Sequence, residues 1–587
     1  MTKKLLFLFI LNISILLSQL FAQNIQNEAH LVPLESGLYE ALDTLYYESG
    51  KVIPFTNRPY TVNEYLMYLE PIELLINSKA SKSTLEWIHK ELKIPLIMSE
   101  ETSALAFNPI ISPEIYLNSD KNIIKDTGSQ HYLYGNIYGY EERLPILSLP
   151  INFWAGKFFF IEIDIDIKEQ PGLGVYPTYG EPATNHSNIP MAFNQIFHHF
   201  PDNYYIGFNS DNVSAYLGSS EYSIGVGETG KLLLSQQADH IPAARISWFN
   251  KHVRYNFTYF SLQTGFVNEG EYTYKSNHFN VIDLDNLTSG YNPSIYGDDY
   301  DEYMSPGLYP YKGFLTHTME FRFIKDKLYI GVNESAIYAR AVPELFIFIP
   351  LTLWHNTNNG NQTNSLISLD LQFSLNKWAQ VYASGILDQY TLSYETDTTD
   401  PEAHGYLVGL KTSIPYNSGY FSANVEYVYT NDWLYTHKYF LQTHTTAQRN
   451  TSVTRGGYDI RPLGYPLGND VSLLHFELGY QKFGHYSVTG VYNYLEKGPY
   501  DIFMSLPKND GGSIINPKGD RETWPLSYYH SIGIEGTYDY EKIVKAKALL
   551  YYTHATNYKN QLGDTFDNFE VTLSLSIDPV ALSKAVF

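Results

Sequence analysis

Residues 159–168 read Phe-Phe-Ile-Glu-Ile-Asp-Ile-Asp-Ile-Lys, and this alternation constrains the fold more than any other feature of the chain. Successive side chains of an extended strand point to opposite faces. Phe159, Ile161, Ile163, Ile165 and Ile167 therefore share an apolar face, and Phe160, Glu162, Asp164, Asp166 and Lys168 share a mostly charged one. The pattern returns at Leu369, Leu371, Phe373 and Leu375 against Ser368, Asp370, Gln372 and Ser374. It returns again at Phe421, Ala423, Val425, Tyr427 and Tyr429 against Ser422, Asn424, Glu426 and Thr430, and at Phe569, Val571, Leu573, Leu575 and Ile577 against Glu570, Thr572, Ser574 and Ser576. Each segment has roughly the 9–11 residues with which a tilted strand crosses a bilayer. Polar stretches rich in Asn, Gly, Asp and Tyr, such as 357–364 and 509–524, separate the segments. A soluble β-sandwich also alternates, but it needs neither so many strands in series nor tyrosines at their ends. Tyr (53) and Phe (32) supply most of the 16% aromatic content, and tyrosine suits the two water–lipid boundaries of a membrane barrel. The expected fold is mainly β: an outer-membrane antiparallel barrel over 130–587, with about 16–18 strands at roughly 25–28 residues per strand and loop.

The N-terminal part reads differently. A short basic head, Lys3-Lys4, precedes an apolar run from Leu5 to Leu17, and Ala22 is followed by a polar start. This describes a secretory leader over 1–22, cut after Ala22. Asn12, Ser14, Ser18 and Gln19 interrupt the run, against the roughly 20 apolar residues of a membrane helix. Leu38, Leu42 and Leu45 recur at helical spacing, with Gly50 as a stop. Thr61 and Glu64 form a capping box for a second helix running towards Pro71. Leu85, Ile88 and Leu92 mark a third helix over 83–93. The expectation is a small helical bundle in 23–100, placed in the periplasm, then a linker over 101–129.

Composition narrows the function classes. The formal charge is −23, and two of the lysines lie in the leader, so the remainder is more acidic still. Nucleic acid is thereby excluded as a partner, because it needs basic patches. There is no cysteine, so no disulfide scaffold holds the fold. Gly225-Val226-Gly227-Glu228-Thr229-Gly230-Lys231-Leu232 approaches a phosphate loop, but Leu232 stands where a magnesium-binding hydroxyl is required, and no strand–helix–strand unit surrounds it. His198-His199, His437 and His444 lack zinc-ligand spacing with acidic partners. Asp298-Asp299-Tyr300-Asp301-Glu302 carries oxygens of the kind calcium takes, but reads more simply as a solvated loop. No nucleophile setting appears and nothing selects a carboxylate pair for acid–base work. The expectation is a protein without enzymatic activity, catalytic residues, metal or cofactor.

Several segments in order resemble the Wzi-type capsule-assembly proteins of bacterial outer membranes. They are 31–39 (Leu-Val-Pro-Leu-Glu-Ser-Gly-Leu-Tyr), Arg58-Pro59-Tyr60-Thr61, the glycine-rich 225–230 running into Lys231-Leu232-Leu233-Leu234-Ser235, and His317. Glu334-Ser335-Ala336-Ile337-Tyr338, Pro350-Leu351, Asn364-Ser365-Leu366, Asp370, Asp388 and 461–468 follow. The resemblance implies a barrel of about 18 strands, a helical bundle against its lower mouth, and a lectin-like role holding capsular or other surface polysaccharide at the cell surface. Expected partners are that polysaccharide, outer-membrane lipid and the barrel-assembly machinery, with the chain a monomer; the terminal Phe587 suits that machinery, although Asp578-Pro579 interrupts the last strand. Glu334, Asp370 and Asp388 are expected to face inward as polar lining or ligand contacts. Trp354, with Tyr296, Tyr300, Tyr303 and Tyr309, is expected in loops where flat rings stack on sugars or belong to the upper girdle. A diffusion channel and a structural or adhesin-like surface protein remain the alternatives.

Overall fold

A computed structural model describes residues 28–99, 103–119, 143–168, 203–262, 311–340, 363–389, 401–437, 442–450, 457–500 and 525–586, apart from single positions, together with short pieces between them. The leader, His198-His199, the acidic run 298–302, Tyr296, Tyr300, Tyr303, Tyr309 and Phe587 lie outside the described residues.

The chain forms a closed antiparallel barrel of 18 strands. In chain order they are β1 (segments Ser103–Phe107, Ile110–Ile111 and Glu114–Asn118), β2 (Leu147–Ala155), β3 (Phe159–Ile167), β4 (Tyr204–Asn209), β5 (Val213–Ser220) and β6 (Ile241–Phe249). There follow β7 (Val253–Leu262), β8 (Tyr311–Phe323), β9 (Leu328–Arg340), β10 (Thr363–Asn376), β11 (Ala379–Gln389) and β12 (Ala403–Tyr416). The last six are β13 (Gly419–Thr430), β14 (Val471–Lys482), β15 (Tyr486–Lys497), β16 (Ser527–Tyr540), β17 (Val544–Thr556) and β18 (Thr565–Ile577). Each strand pairs with the next, and β1 closes the ring by pairing with both β2 and β18. The barrel therefore begins inside the stretch expected to be a linker. Pro109 and Pro113 break β1 into pieces too short to show a period, since proline cannot donate to the ladder.

The alternation read from the sequence sets the two faces of the wall. Leu369, Leu371 and Phe373 point outward and are 36–45% exposed, whereas Ser368, Asp370 and Gln372 point into the lumen and are buried. An exposed apolar band of this kind faces lipid, with polar side chains inside. Tyrosines mark both edges of the band. On β12 the outward Tyr406 packs against Tyr429, and Tyr416 packs against Phe421 and Tyr480. Ten residues of strand rising ~3.3 Å each at a tilt of ~40° span about 25 Å, the height of a lipid-facing band. Among the described residues no helix is long and apolar enough to cross a membrane; the strands do so.

The barrel has one mouth with short turns and one with long connections. Across the short-turn mouth lie α1 (Leu38–Ser49), α2 (Val62–Glu73) and α3 (Lys79–Glu91). α1 buries Leu38, Leu42 and Leu45, and Gly50 ends it at φ 72°, donating to the carbonyls of Tyr46 and Tyr47. Thr61 caps α2 by accepting from the Glu64 amide at 3.2 Å. The Glu64 side chain does not return to the cap, because it is taken by the barrel wall. α2 continues past Pro71 to Glu73. α3 starts four residues earlier than Ser83, because Ser78 caps it through the Ser81 amide. A last short helix, α4 (Pro579–Val586), follows β18.

Candidate functional site: the filled lumen

The bundle is fastened to the wall by charge. Arg254 on β7 is fully buried, forms an ion pair with Glu64 of α2 and lies 3.4 Å from Glu320 on β8. Glu320 also accepts from the Thr56 and Asn57 amides, at 2.6 and 3.2 Å, and from the Tyr329 hydroxyl at 2.9 Å. Arg245 on β6 donates to the carbonyls of Asn57 and Pro59 and to Asn256. A buried ion of this size is tolerated only with its partners in place. Around the rim the bundle touches turn after turn: Lys251 with Glu70, Lys51 with Asp326, Tyr47 with the Trp378 amide, and Lys542 with Glu91. Trp87 of α3 stacks on Phe483 at 5.5 Å.

From the other mouth, the connection between β5 and β6 turns inward and meets the bundle. Ser223 and Arg58 exchange backbone hydrogen bonds at 2.8 and 3.1 Å, and the Arg58 guanidinium holds both oxygens of Asp43 at 2.7 Å. The glycine-rich run sits here. The Glu228 and Thr229 amides donate to the Glu426 carboxylate of β13 at 2.7 and 2.9 Å, and Lys411 reaches Glu228 at 2.7 Å. Lys231, the position of a phosphate-binding lysine, donates instead to the Gly227 carbonyl. Gly227 has φ +133°, and a Cβ there would lie 2.2 Å from the Gly230 oxygen. Burial raises the Glu228 carboxyl, but the ammonium groups of Lys411 and Lys231 more than reverse this and hold it below the usual range. Burial also pulls the Lys231 ammonium down, against Glu228 and Glu426. The run is a lumen insertion rather than a nucleotide loop.

The connection between β13 and β14 covers this insertion. Tyr435 donates its hydroxyl to Leu232 O at 2.6 Å, and the ring of His444 stacks on it at 5.3 Å. His444 Nε2 donates to Leu233 O at 2.7 Å. Burial pushes its pKa down to about 4, with nearby Lys312 acting in the same direction against the Leu233 carbonyl.

The four expected site residues separate. Asp370 faces the lumen, accepting from Asn333 at 2.9 Å and from the Val226 amide at 3.4 Å. Asp388 also faces the lumen and accepts from the Tyr435 amide at 2.9 Å. Both carboxylates hold the inserted connections. Glu334 does not face inward: its neighbours Asn333 and Ser335 bond inside the wall, so Glu334 lies on the outer face, opposite His317 in register. The run Asn-Glu-Ser is polar at every position, so polarity could not reveal its phase. Trp354 also lies outside the barrel. It stacks on His317 at 4.2 Å, donates to Ile347 O at 3.2 Å, and packs with Phe257, Leu315, Ala336 and Tyr338. This cluster, with the Tyr255 hydroxyl 2.9 Å from His317 Nδ1, binds Ile347, Phe348 and Trp354 against the outer wall.

One part of the lumen remains wet. Glu477, Thr489, Glu535, Thr537, Lys545 and Lys547 of β14–β17 point inward and are partly or fully exposed, whereas inward residues of β5–β13 are largely buried by the bundle and the insertion. This wall carries both charges and several hydroxyls, and nothing in the sequence set it apart from the dry side. Among the described residues no group of His, Asp or Glu is arranged to hold a metal ion.

No family model and no curated protein sequence matches the chain. Among solved structures it is similar to Wzi of Escherichia coli, an outer-membrane protein involved in group 1 capsule assembly and a carbohydrate-binding β-barrel. The identity is 14%, with 94% of this chain and 99% of that chain covered at a TM-score of 0.56. Weaker likenesses reach the channel DcaP of Acinetobacter baumannii (8% identity, 82% and 98% covered, TM-score 0.32) and OprD of Pseudomonas aeruginosa (6%, 80% and 94%, 0.37). The chain has a Wzi-like fold, an 18-stranded outer-membrane barrel with a small helical part at its N-terminal end.

Proposed function

We propose that this protein binds and retains capsular or other surface polysaccharide at the cell surface, with its helical bundle on the periplasmic side and its long connections outside. The observation that carries this reading is the double filling of the lumen. A three-helix bundle is bound to the wall by the buried Arg254–Glu64–Glu320 cluster, and an inserted connection meets it at Arg58 and Ser223. Filling the β5–β13 side of the lumen from both ends narrows a diffusion path to the wet β14–β17 side, whereas a binding protein gains a rigid frame for its outer face. The Wzi-like fold supports the same reading. Asp370 and Asp388 serve the frame, since both are occupied by the connections they hold. No hydrolytic or ligase step is proposed for them.

The test joins planar-bilayer conductance to a glycan-binding array. Closed barrels that bind long polysaccharides, together with conductance that appears when residues 28–99 are deleted, support the proposal. Large steady pores without glycan binding would make the protein a porin. Neither pores nor binding would leave a structural or adhesin-like surface protein.

A further inference from the structure

On the outer wall of β15–β18, near the long-connection rim, four strands place polar side chains in one row. Tyr494 faces His530, His530 faces His554, and His554 faces Asp567. They alternate with Ser531 and Thr553, which are buried on the lumen side, so the row points away from the barrel. His554 Nδ1 donates to Asp567 at 2.8 Å, and the Tyr552 hydroxyl donates to the same oxygen at 2.7 Å. The Tyr492 hydroxyl lies 2.9 Å from His530 Nδ1, and Tyr494 donates to Glu496 at 2.9 Å. Each imidazole thus spends its Nδ1 within the row and keeps Nε2 for a partner outside it. His554 and Asp567 are 39% and 57% exposed. Acyl chains satisfy none of these groups, so a polar row on a lipid-facing wall belongs at the level of headgroups.

Directly below lies an outward row of large side chains, Tyr492, Ile532, Tyr552 and Phe569. Beneath it the wall changes character: the next outward rows read Gly490, Ile534, Leu550, Val571 and then Val488, Gly536, Ala548, Leu573, with Ala546 beside Tyr538 beneath them. A Cβ added at Gly490 or Gly536 would meet nothing nearer than 3.8 Å. The small residues leave a shallow apolar trough flanked by Ile534, Tyr538 and Leu550, each at least 40% exposed. It starts four to six residues below the polar row, roughly 10–15 Å deeper along the membrane normal for a tilted strand. That is the depth reached by an acyl chain whose headgroup sits at the row.

We infer that the polar row and the trough together form a binding site for one glycolipid, with its sugar headgroup on His530, His554 and Asp567 and an acyl chain along Gly490, Gly536 and Ala548. A sugar fits better than a bare phosphate. Asp567 and Glu496 repel an anion, whereas hydroxyls donate to the carboxylates and accept from imidazole N–H, and the flat tyrosine and histidine rings offer faces to a pyranose. The trough requires that the sugar carry a chain. The site is independent of the polysaccharide reading, since it lies on the outer wall.

The experiment is native mass spectrometry of the full chain in detergent, offered equimolar monoglucosyldiacylglycerol, phosphatidylglycerol and phosphatidylcholine. One molecule of the glycolipid is expected to be retained at least three-fold over either phospholipid, and free glucose in excess is expected not to displace it. The triple variant H530A/H554A/D567A is expected to abolish the preference. Gly536→Leu, which fills the trough and leaves the polar row intact, is expected to lower retention of the glycolipid similarly. Heat-modifiable gel mobility verifies that each variant still forms the barrel. Equal retention of all three lipids, or a preference that survives both variants, would overturn the inference. So would a native dimer that Gly536→Leu converts to monomer without changing lipid retention, because a second copy would then be the occupant of the trough.

Discussion

Arg254 on the barrel wall and Glu64 on α2 form an ion pair that water does not reach, so the helical bundle is held by a charge that has nowhere else to go. Breaking one partner of such a pair costs about 3–5 kcal/mol. Arg254→Ala is therefore expected to loosen the bundle while leaving the barrel folded. Limited proteolysis should release fragments from residues 28–99 in the variant only, with heat-modifiable mobility unchanged. A variant as protease-resistant as the parent would show that the remaining rim contacts suffice.

Gly227 supports the insertion in a different way. At φ +133°, with the Gly230 oxygen 2.2 Å from any added Cβ, it accepts no side chain without moving the backbone. Gly227→Val is expected to detach the amides of Glu228 and Thr229 from Glu426. Single-channel recording should then show transient openings absent from the parent, and a quiet trace would count against the insertion as a stopper.

His444 makes the cover over that insertion sensitive to acid. Its ring is neutral in the folded protein, with a pKa near 4, whereas an unfolded histidine takes a proton near pH 6.5. The less folded state therefore binds the proton first, and stability falls as pH is lowered from about 6.5 to about 4. The full effect of such a shift is on the order of 3 kcal/mol. Hydrogen exchange at residues 431–437 and 442–446 should accelerate across this window, and His444→Gln should flatten the dependence.

Trp354 is expected to matter for order and not for ligand. Trp354→Ala removes the stack on His317 and empties a packed cluster, a change worth roughly 3–5 kcal/mol where the surroundings do not relax. Residues 345–350 should become protease-sensitive while glycan-array binding stays at the level of the parent. A parallel loss of glycan binding would return Trp354 to the ligand.

The helices and the strand pattern were legible because each repeats a short-range signal over many residues. Leu38, Leu42 and Leu45 share a helix face, and the isoleucines of 159–167 share a strand face, whatever the rest of the chain does. β1 was not legible, since its pieces of two to five residues carry too few alternations between Pro109 and Pro113. Glu334 lies on the outer face against its polar pattern because parity, not polarity, decides the face, and its neighbours Asn333 and Ser335 are polar on both sides. The lumen insertion left only glycines and a leucine run, which a turn explains equally well. What fixes its place is Glu426, almost two hundred residues away.

The pairing of β1 with β18 also sets an order of events. Ser112 bonds to Ser576 across 464 residues, and the Phe569 amide bonds to Ser119 across 450. Ends so distant meet late, because the entropy of closing a loop is spent before the contact returns anything. The first strand thus keeps an unsatisfied edge until the last one arrives, and the bundle that precedes it has the whole of that interval in which to fold. A bundle that folded within that interval would be enclosed by the closing wall and would not have to be threaded through a finished mouth.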